Sequence, residues 1–294
     1  MRQPAELPHR LDIRDRCRGM RIATLCAVLI AGASGCQTNG AQNPIARPTR
    51  HSVQAEQFTV LTDFKLPTKH PLIDELKLVR RQVAETLQLP TNGNEVVVFI
   101  FASELEYRQF FEATFPGYPP RRAYFVGTTR ELAVYTYWGE RIREDLRHEF
   151  THGLLHAALK GVPLWLDEGL AEYFEVPGDR PGGMNSDYAE RLAEAMENGW
   201  QPDLKRLEQL EQVHHMQSID YQESWAWVHF LLHSTPENRE LLLSHLRTLQ
   251  HDANAQRLSA RLARSLPNAQ AGLLAHIAAL EGRGAEYPVL STQY

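Results

Sequence analysis

His148-Glu149-Phe150-Thr151-His152 is the segment of this chain whose residue types and spacing offer the most chemistry. On a helix, residues four apart share a face, so both imidazoles can reach a single ion. Glu149 lies about 100° around the axis from His148. That places its carboxylate beside the ion, free to take a proton from water without being a ligand. Two histidines and a glutamate in this pattern suit zinc-assisted hydrolysis. Zinc in a catalytic site keeps three protein ligands and one open position, and it lowers the pKa of water toward neutrality. The same five letters would also describe a helix with two partly buried histidines and an exposed glutamate. A third ligand therefore has to be found elsewhere.

Downstream, Gly161 and Pro163 mark a turn, and Trp165-Leu166-Asp167-Glu168-Gly169-Leu170-Ala171-Glu172-Tyr173 follows. This string resembles the glutamate helix of the gluzincins, the group containing thermolysin and aminopeptidase N. It is also similar to bacterial peptidase-like lipoprotein domains that share H-E-x-x-H and Trp-x-x-Glu-Gly-x-Ala-Glu-Tyr. The resemblance implies that Glu168 is the third metal ligand beside His148 and His152. It implies that Glu172, one turn on, steadies a ligating histidine, and that one Zn2+ is held per chain. Gly169 and Ala171 are small, as close helix packing needs. Tyr221-Gln222-Glu223-Ser224-Trp225-Ala226 resembles the tyrosine-bearing helix start of the aminopeptidase N branch. Tyr221 would then donate to the developing oxyanion; a Tyr/Trp packing cluster on a core helix is the other reading of the same letters.

The implied activity is hydrolysis of a peptide or protein substrate, with Glu149 as general base. Pro181-Gly182-Gly183-Met184-Asn185 lacks the glutamate of an aminopeptidase amine-binding loop and follows the zinc helices, so an endopeptidase is expected. A zinc-binding envelope scaffold without turnover is the alternative. His156 is read as a helix or supporting residue, since the chain lacks the glycine-and-histidine continuation that would make it a ligand.

The elements that must position these groups are readable from periodicity. Phe58–Thr62 and the β-branched, aromatic run 95–102 read as strands. Ala123–Val126 and Leu132–Tyr137 read as a hairpin, the second arm alternating and expected to form an edge that pairs with substrate. Helical spacing covers 71–89 and a segment capped by Ser103. From Ile142 it recurs at 142–160, 167–175, 186–198, 204–212, 221–234, 236–249, 253–265 and 268–282. Strands first and helices after argue α+β: a small mixed or antiparallel sheet, a mostly helical gluzincin core at 58–235, and a helical extension at 236–294.

All three cysteines lie at the start, as Cys17, Cys26 and Cys36, so no disulfide staples the folded part. Ile22–Ala33 is an uncharged apolar run preceded by arginines, which suits a signal-peptide core. Ala33-Ser34-Gly35-Cys36 resembles a lipobox: residues 1–36 read as a signal peptide with its lipobox, which implies that Cys36 is lipidated and becomes the new first residue, and Met20 is the expected true start. Residues 37–57 read as a tether. Gln37 after the cysteine implies the outer membrane, facing the periplasm, reached through the lipid anchor. With a net charge of −5 and no basic stripe, nucleic acid is not an expected partner.

Overall fold

The computed structural model describes residues 46–178 and 184–281. The expected signal segment, Cys36 and residues 37–45 of the expected tether lie outside them, as does the Pro181–Gly183 loop. The architecture is α+β. A five-stranded mixed sheet is built from β1 (His51–Ala55), β2 (Phe58–Thr62), β3 (Val96–Phe101), β4 (Ala123–Gly127) and β5 (Leu132–Tyr137). Its spatial order is β1-β2-β3-β5-β4. The outer pairs are antiparallel, and β2–β3 and β3–β5 are parallel.

Two expectations are corrected here. The tether reaches no further than about residue 50, because His51–Ala55 pairs along β2. Only Val53 of that strand is buried, so its alternation was too weak to read locally. The expected edge strand β5 is also not at an edge, since it lies between β3 and β4; the edges are β4 on that side and β1 on the other.

Side-chain alternation divides the sheet into two different faces. Val96, Val98, Ile100, Leu132 and Val134 face the main core, beneath α1 (Pro71–Leu87) and α3 (Ile142–Ala158). Phe99, Phe101, Tyr124, Val126 and Tyr135 face the opposite way into an aromatic cluster. That cluster is closed by Tyr107, Phe110 and Phe111 of α2 (Glu104–Thr114). Phe111 stacks on Tyr124 at 4.4 Å between ring centroids. Both crossover helices start with a side-chain cap: His70 accepts from the Leu72 amide before Pro71, and Ser103 from the Glu106 amide.

The remaining helices are α4 (Leu164–Glu175), α5 (Ser186–Glu197), the short α6 (Leu204–Leu207), α7 (Ser218–His233), α8 (Pro236–Leu249), α9 (Leu258–Ser265) and α10 (Ala269–Glu281). α4 is buried from Leu164 through Phe174, held between α3 and α7. Gly169 is where α7 comes closest: an added Cβ would lie 2.6 Å from the Ser224 carbonyl oxygen. The small residue thus serves the α4–α7 contact. α8 and α10 pack on α7, and Leu242, Leu246, Leu273 and Ile277 belong to the same core as α3 and α4. The helices after Pro236 are part of one core, and the boundary expected at 235/236 is not a break in packing. Among the described residues, no helix is long and apolar enough to cross a membrane.

Candidate metal centre

α3 and α4 meet where the His-Glu segment faces the glutamate helix. His148 Nε2 lies 3.3 Å from His152 Nε2. Glu168 Oε2 lies 3.6 Å from His148 Nε2 and 3.7 Å from His152 Nε2. Tetrahedral zinc with ligand bonds near 2.0–2.2 Å separates neighbouring donors by about 3.4 Å. The three donor atoms therefore already have the spacing that such an ion requires.

The other ring nitrogens fix what those donors offer. His148 Nδ1 lies 2.8 Å from Glu175 Oε2, and His152 Nδ1 lies 2.9 Å from Asp167 Oδ1. A carboxylate facing Nδ1 selects the tautomer with its proton there. Both Nε2 atoms then point lone pairs at one another and at Glu168, an arrangement that only a cation, or a shared proton, can relieve. His156 Nε2 lies 3.0 Å from the second oxygen of Asp167, so His156 supports a supporting carboxylate and is not part of the donor triangle.

The electrostatics follow from these pairs. Burial works to lower the His148 pKa, but hydrogen bonds to Glu168 and Glu175 outweigh it and hold it well above the ordinary value. His152 is raised too: desolvation opposes, and Asp167 and Glu168 prevail. Desolvation tends to raise Asp167 and Glu168, and the facing histidines hold both carboxyls down. A pocket that strengthens the grip of imidazole on a proton in this way favours positive charge in general, so the donor set fits a divalent cation.

Glu172, expected to steady a ligating histidine, stands beside His148 and its charge adds to the rise of that imidazole's pKa, without a bond between them. Its carboxylate is close to His148 and Glu175. Yet His148 Nδ1 is bonded to Glu175, and the side chain bonded to Glu172 is Tyr188 of α5. Desolvation raises its pKa to about 7, with His148 opposing and Glu175 adding to the rise. Glu175 stands seven residues beyond Glu168, two helical turns, and so still faces α3.

Glu149 lies on the sheet side of α3. Its Oε2 accepts the Phe125 amide of β4 at 2.6 Å. That amide faces away from β5, so the edge strand itself orients the carboxylate next to the donor triangle. The Phe125 ring stacks at 6.1 Å on His152 and lies 5.1 Å from His156.

Tyr221 is in the first turn of α7. Gln217 and Asp220 form a capping box there. Arg206 from α6 bonds Asp220 at 2.5 Å, and Glu223 accepts from the Asp203 amide at 2.6 Å and from Trp227 Nε1 at 3.2 Å. These bonds fix the turn that carries the tyrosine. Burial is the main influence raising the Tyr221 pKa; Glu168 adds to it, and the positive charge of Arg121 opposes.

Arg147, next to His148, is fully buried and was missed in the sequence. Its Nε donates to the Phe174 and Glu175 carbonyls at 2.8 and 3.1 Å, its Nη1 to Glu75 at 2.5 Å, and its Nη2 to Gln82 at 3.0 Å. It thus caps the C-terminus of α4 from α3 and ties both to α1. Asp167 and Glu175 were also missed. Their signal was present as acids in an otherwise apolar helix, since a buried carboxylate needs a partner. No protein-family model matches this chain, and no curated protein matches it either.

Proposed function

We propose that this chain is a zinc-dependent peptidase with an endopeptidase habit. The observation that carries the reading is the donor triangle, in which both histidine Nε2 atoms and a Glu168 oxygen stand at ion-sharing distances. His148, His152 and Glu168 would hold the metal. Bound zinc supplies Lewis acidity toward a carbonyl group and toward water.

The remaining work falls to side chains of this chain. Glu149, held by the Phe125 amide, accepts the proton from the attacking water and passes it to the departing amine. The Tyr221 hydroxyl donates to the carbonyl oxygen as charge builds there. Asp167 and Glu175 keep the two imidazoles in the ligating tautomer. The outer edge of β4, apart from the Phe125 amide taken by Glu149, offers backbone groups along which an extended peptide aligns by strand addition, which gives affinity with little demand on sequence. By the lipobox resemblance, the mature protein works at the cell envelope, anchored through Cys36.

The test compares the purified mature chain with Glu149→Gln on a mixed peptide library, with zinc content measured on both. The expected result is one zinc per chain in each and turnover lower by about 100- to 10,000-fold in the variant. Full activity in Glu149→Gln would refute the mechanism. Stoichiometric zinc with no cleavage by the wild type would favour a zinc-stabilised envelope scaffold instead.

A further inference from the structure

Among the described residues, the large apolar side chains left in solvent are Leu105, 66% exposed, and Trp138, 42% exposed. Both stand on one rim of the sheet. Leu105 is in the first turn of α2, just after β3, and Trp138 directly follows β5. The Trp138 amide donates to the Phe101 carbonyl at the end of β3 at 2.9 Å, so the two loops adjoin. The Trp138 ring meets Phe64 and His70 edge-on, at 5.3 and 5.5 Å between centroids, and both belong to the loop after β2. The carboxyl ends of the three parallel strands thus share one surface. Arg50, just before β1, and Lys65 and Lys69, in the loop after β2, are exposed there and enter no ion pair among the described residues. Of the rim's acids, Asp63 is engaged by backbone amides and Glu104 by Arg108; Glu106 and Glu140 are exposed.

The chain also reaches the folded part at this rim. The Thr49 and Arg50 amides donate to Asp63 Oδ1 at 3.2 and 3.3 Å, and Ala46 lines one cleft with Phe101 and Glu106. Nine residues, 37–45, separate Ala46 from Cys36. Ten residue steps span at most about 35 Å. A lipid on Cys36 would keep the point of entry, and with it the two exposed apolar side chains, within that distance of the bilayer.

We propose that this rim is a membrane-contacting surface: Trp138 and Leu105 enter the interfacial layer of the bilayer, and Arg50, Lys65 and Lys69 meet the phosphates of anionic lipid. This rests on the envelope reading above. An indole suits the headgroup level, with its ring in the apolar boundary and its N–H in the wet one. Basic side chains near an anionic surface add to whatever the apolar contact supplies. The contact also orients the molecule. α3 starts at Ile142, four residues after Trp138, and His148 and His152 follow about 9 and 15 Å along its axis. The donor triangle is then in reach of peptide segments close to the lipid.

The experiment mixes the zinc-loaded mature chain, without its acyl chains, with vesicles of phosphatidylethanolamine and phosphatidylglycerol, or of phosphatidylcholine alone. Co-sedimentation measures partitioning, and brominated acyl chains report tryptophan depth. Trp165, Trp225 and Trp227 are buried, so Trp138 should carry the quenching and Trp138→Phe should lose it. Leu105→Ser with Trp138→Ser should lower partitioning by about tenfold or more. Lys65→Gln and Lys69→Gln should each lower it by about fivefold, on the anionic vesicles alone. Zinc content and cleavage of a peptide free in solution should stay at the wild-type level, which shows that the variants are folded. No vesicle binding, or binding indifferent to these substitutions, would overturn the proposal. Self-association in the absence of lipid that the same substitutions abolish would assign the rim to a second copy of the chain and overturn it as well. The envelope reading fails separately if mass spectrometry of the membrane-extracted protein finds no acyl chain on Cys36; the vesicle assay does not depend on that result.

Discussion

Histidines pack at helical spacing on both α3 and α7, and only those of α3 stand among donors close enough to share a cation. His148 and His152 stand with ring centroids 5.0 Å apart on α3, and the carboxylates of Glu168, Glu175 and Asp167 all face them. His229 and His233 are closer still, at 4.4 Å on α7. There, however, His229 Nδ1 meets His276 Nε2 at 2.8 Å, and His233 Nε2 meets the Tyr173 hydroxyl at 2.8 Å. Burial, with Arg239 adding to it, lowers the His233 pKa, whereas the carboxylates raise those of His148 and His152. Among the described residues, both donor groups near enough to share an ion contain His148, and neither contains His229, His233 or His276. Spacing at i and i+4 is common to both groups. The difference is made by the acids on the neighbouring helix.

The sharpest way to break this comparison is to remove one acid. Glu168→Ala should weaken zinc binding on the order of 1,000-fold or more, since a three-ligand site becomes a two-ligand one. His229→Ala and His233→Ala should leave zinc affinity unchanged. Competition against a chromophoric chelator measures all three, and zinc loss in the α7 variants would erase the distinction.

The apolar side of the comparison extends to His245, which is buried in α8 with its pKa pushed down to about 4 by desolvation and, secondarily, by Arg261. Its folded value lies below the unfolded value near 6.5, so the unfolded chain binds the extra proton between those limits. Stability from this residue is therefore complete above about pH 6.5. It falls by about 3 kcal/mol as the pH drops toward 4, and then levels off. Denaturant melts of wild type and His245→Leu across that range should show a slope in the first that is largely missing in the second.

A subtler change sharpens the metal side. Asp167→Asn keeps the shape but weakens the hold on both His152 and His156, and zinc affinity should fall about 10- to 100-fold. Glu175→Gln should act similarly through His148. Glu172→Gln, whose bonded partner is Tyr188, should cost less than either. A larger effect from Glu172 would restore the role that the sequence resemblance gave it.

Local pattern made much of this structure readable. The strand limits of Phe58–Thr62 and Leu132–Tyr137 and the helix limits of Pro236–Leu249 follow from periodicity and caps. Where local chemistry competed, the reading ran long: α9 starts at Leu258 because Asp252 turns the chain by accepting the Asn254 amide at 2.8 Å. Long-range partners were the harder part. Nothing near Val96 in sequence announces that it pairs in parallel with both Phe58 and Leu132. That pairing puts β4, and not β5, at the edge. In the site, the pairing of His148 with His152 was legible from helical spacing, and Glu168 from the resemblance of its helix. The residues that orient them were not. Arg147 reaches 72 residues back to Glu75, and the Phe125 amide meets Glu149 across 24 positions. Packing alone decides such contacts.

The most direct trial is zinc-edge X-ray absorption on the purified, zinc-loaded mature chain. Four nitrogen or oxygen neighbours near 2.0 Å are expected, with outer-shell scattering from two imidazole rings that drops to one ring in His152→Ala. Absence of stoichiometric zinc, or a spectrum that does not change in His152→Ala, would contradict the account.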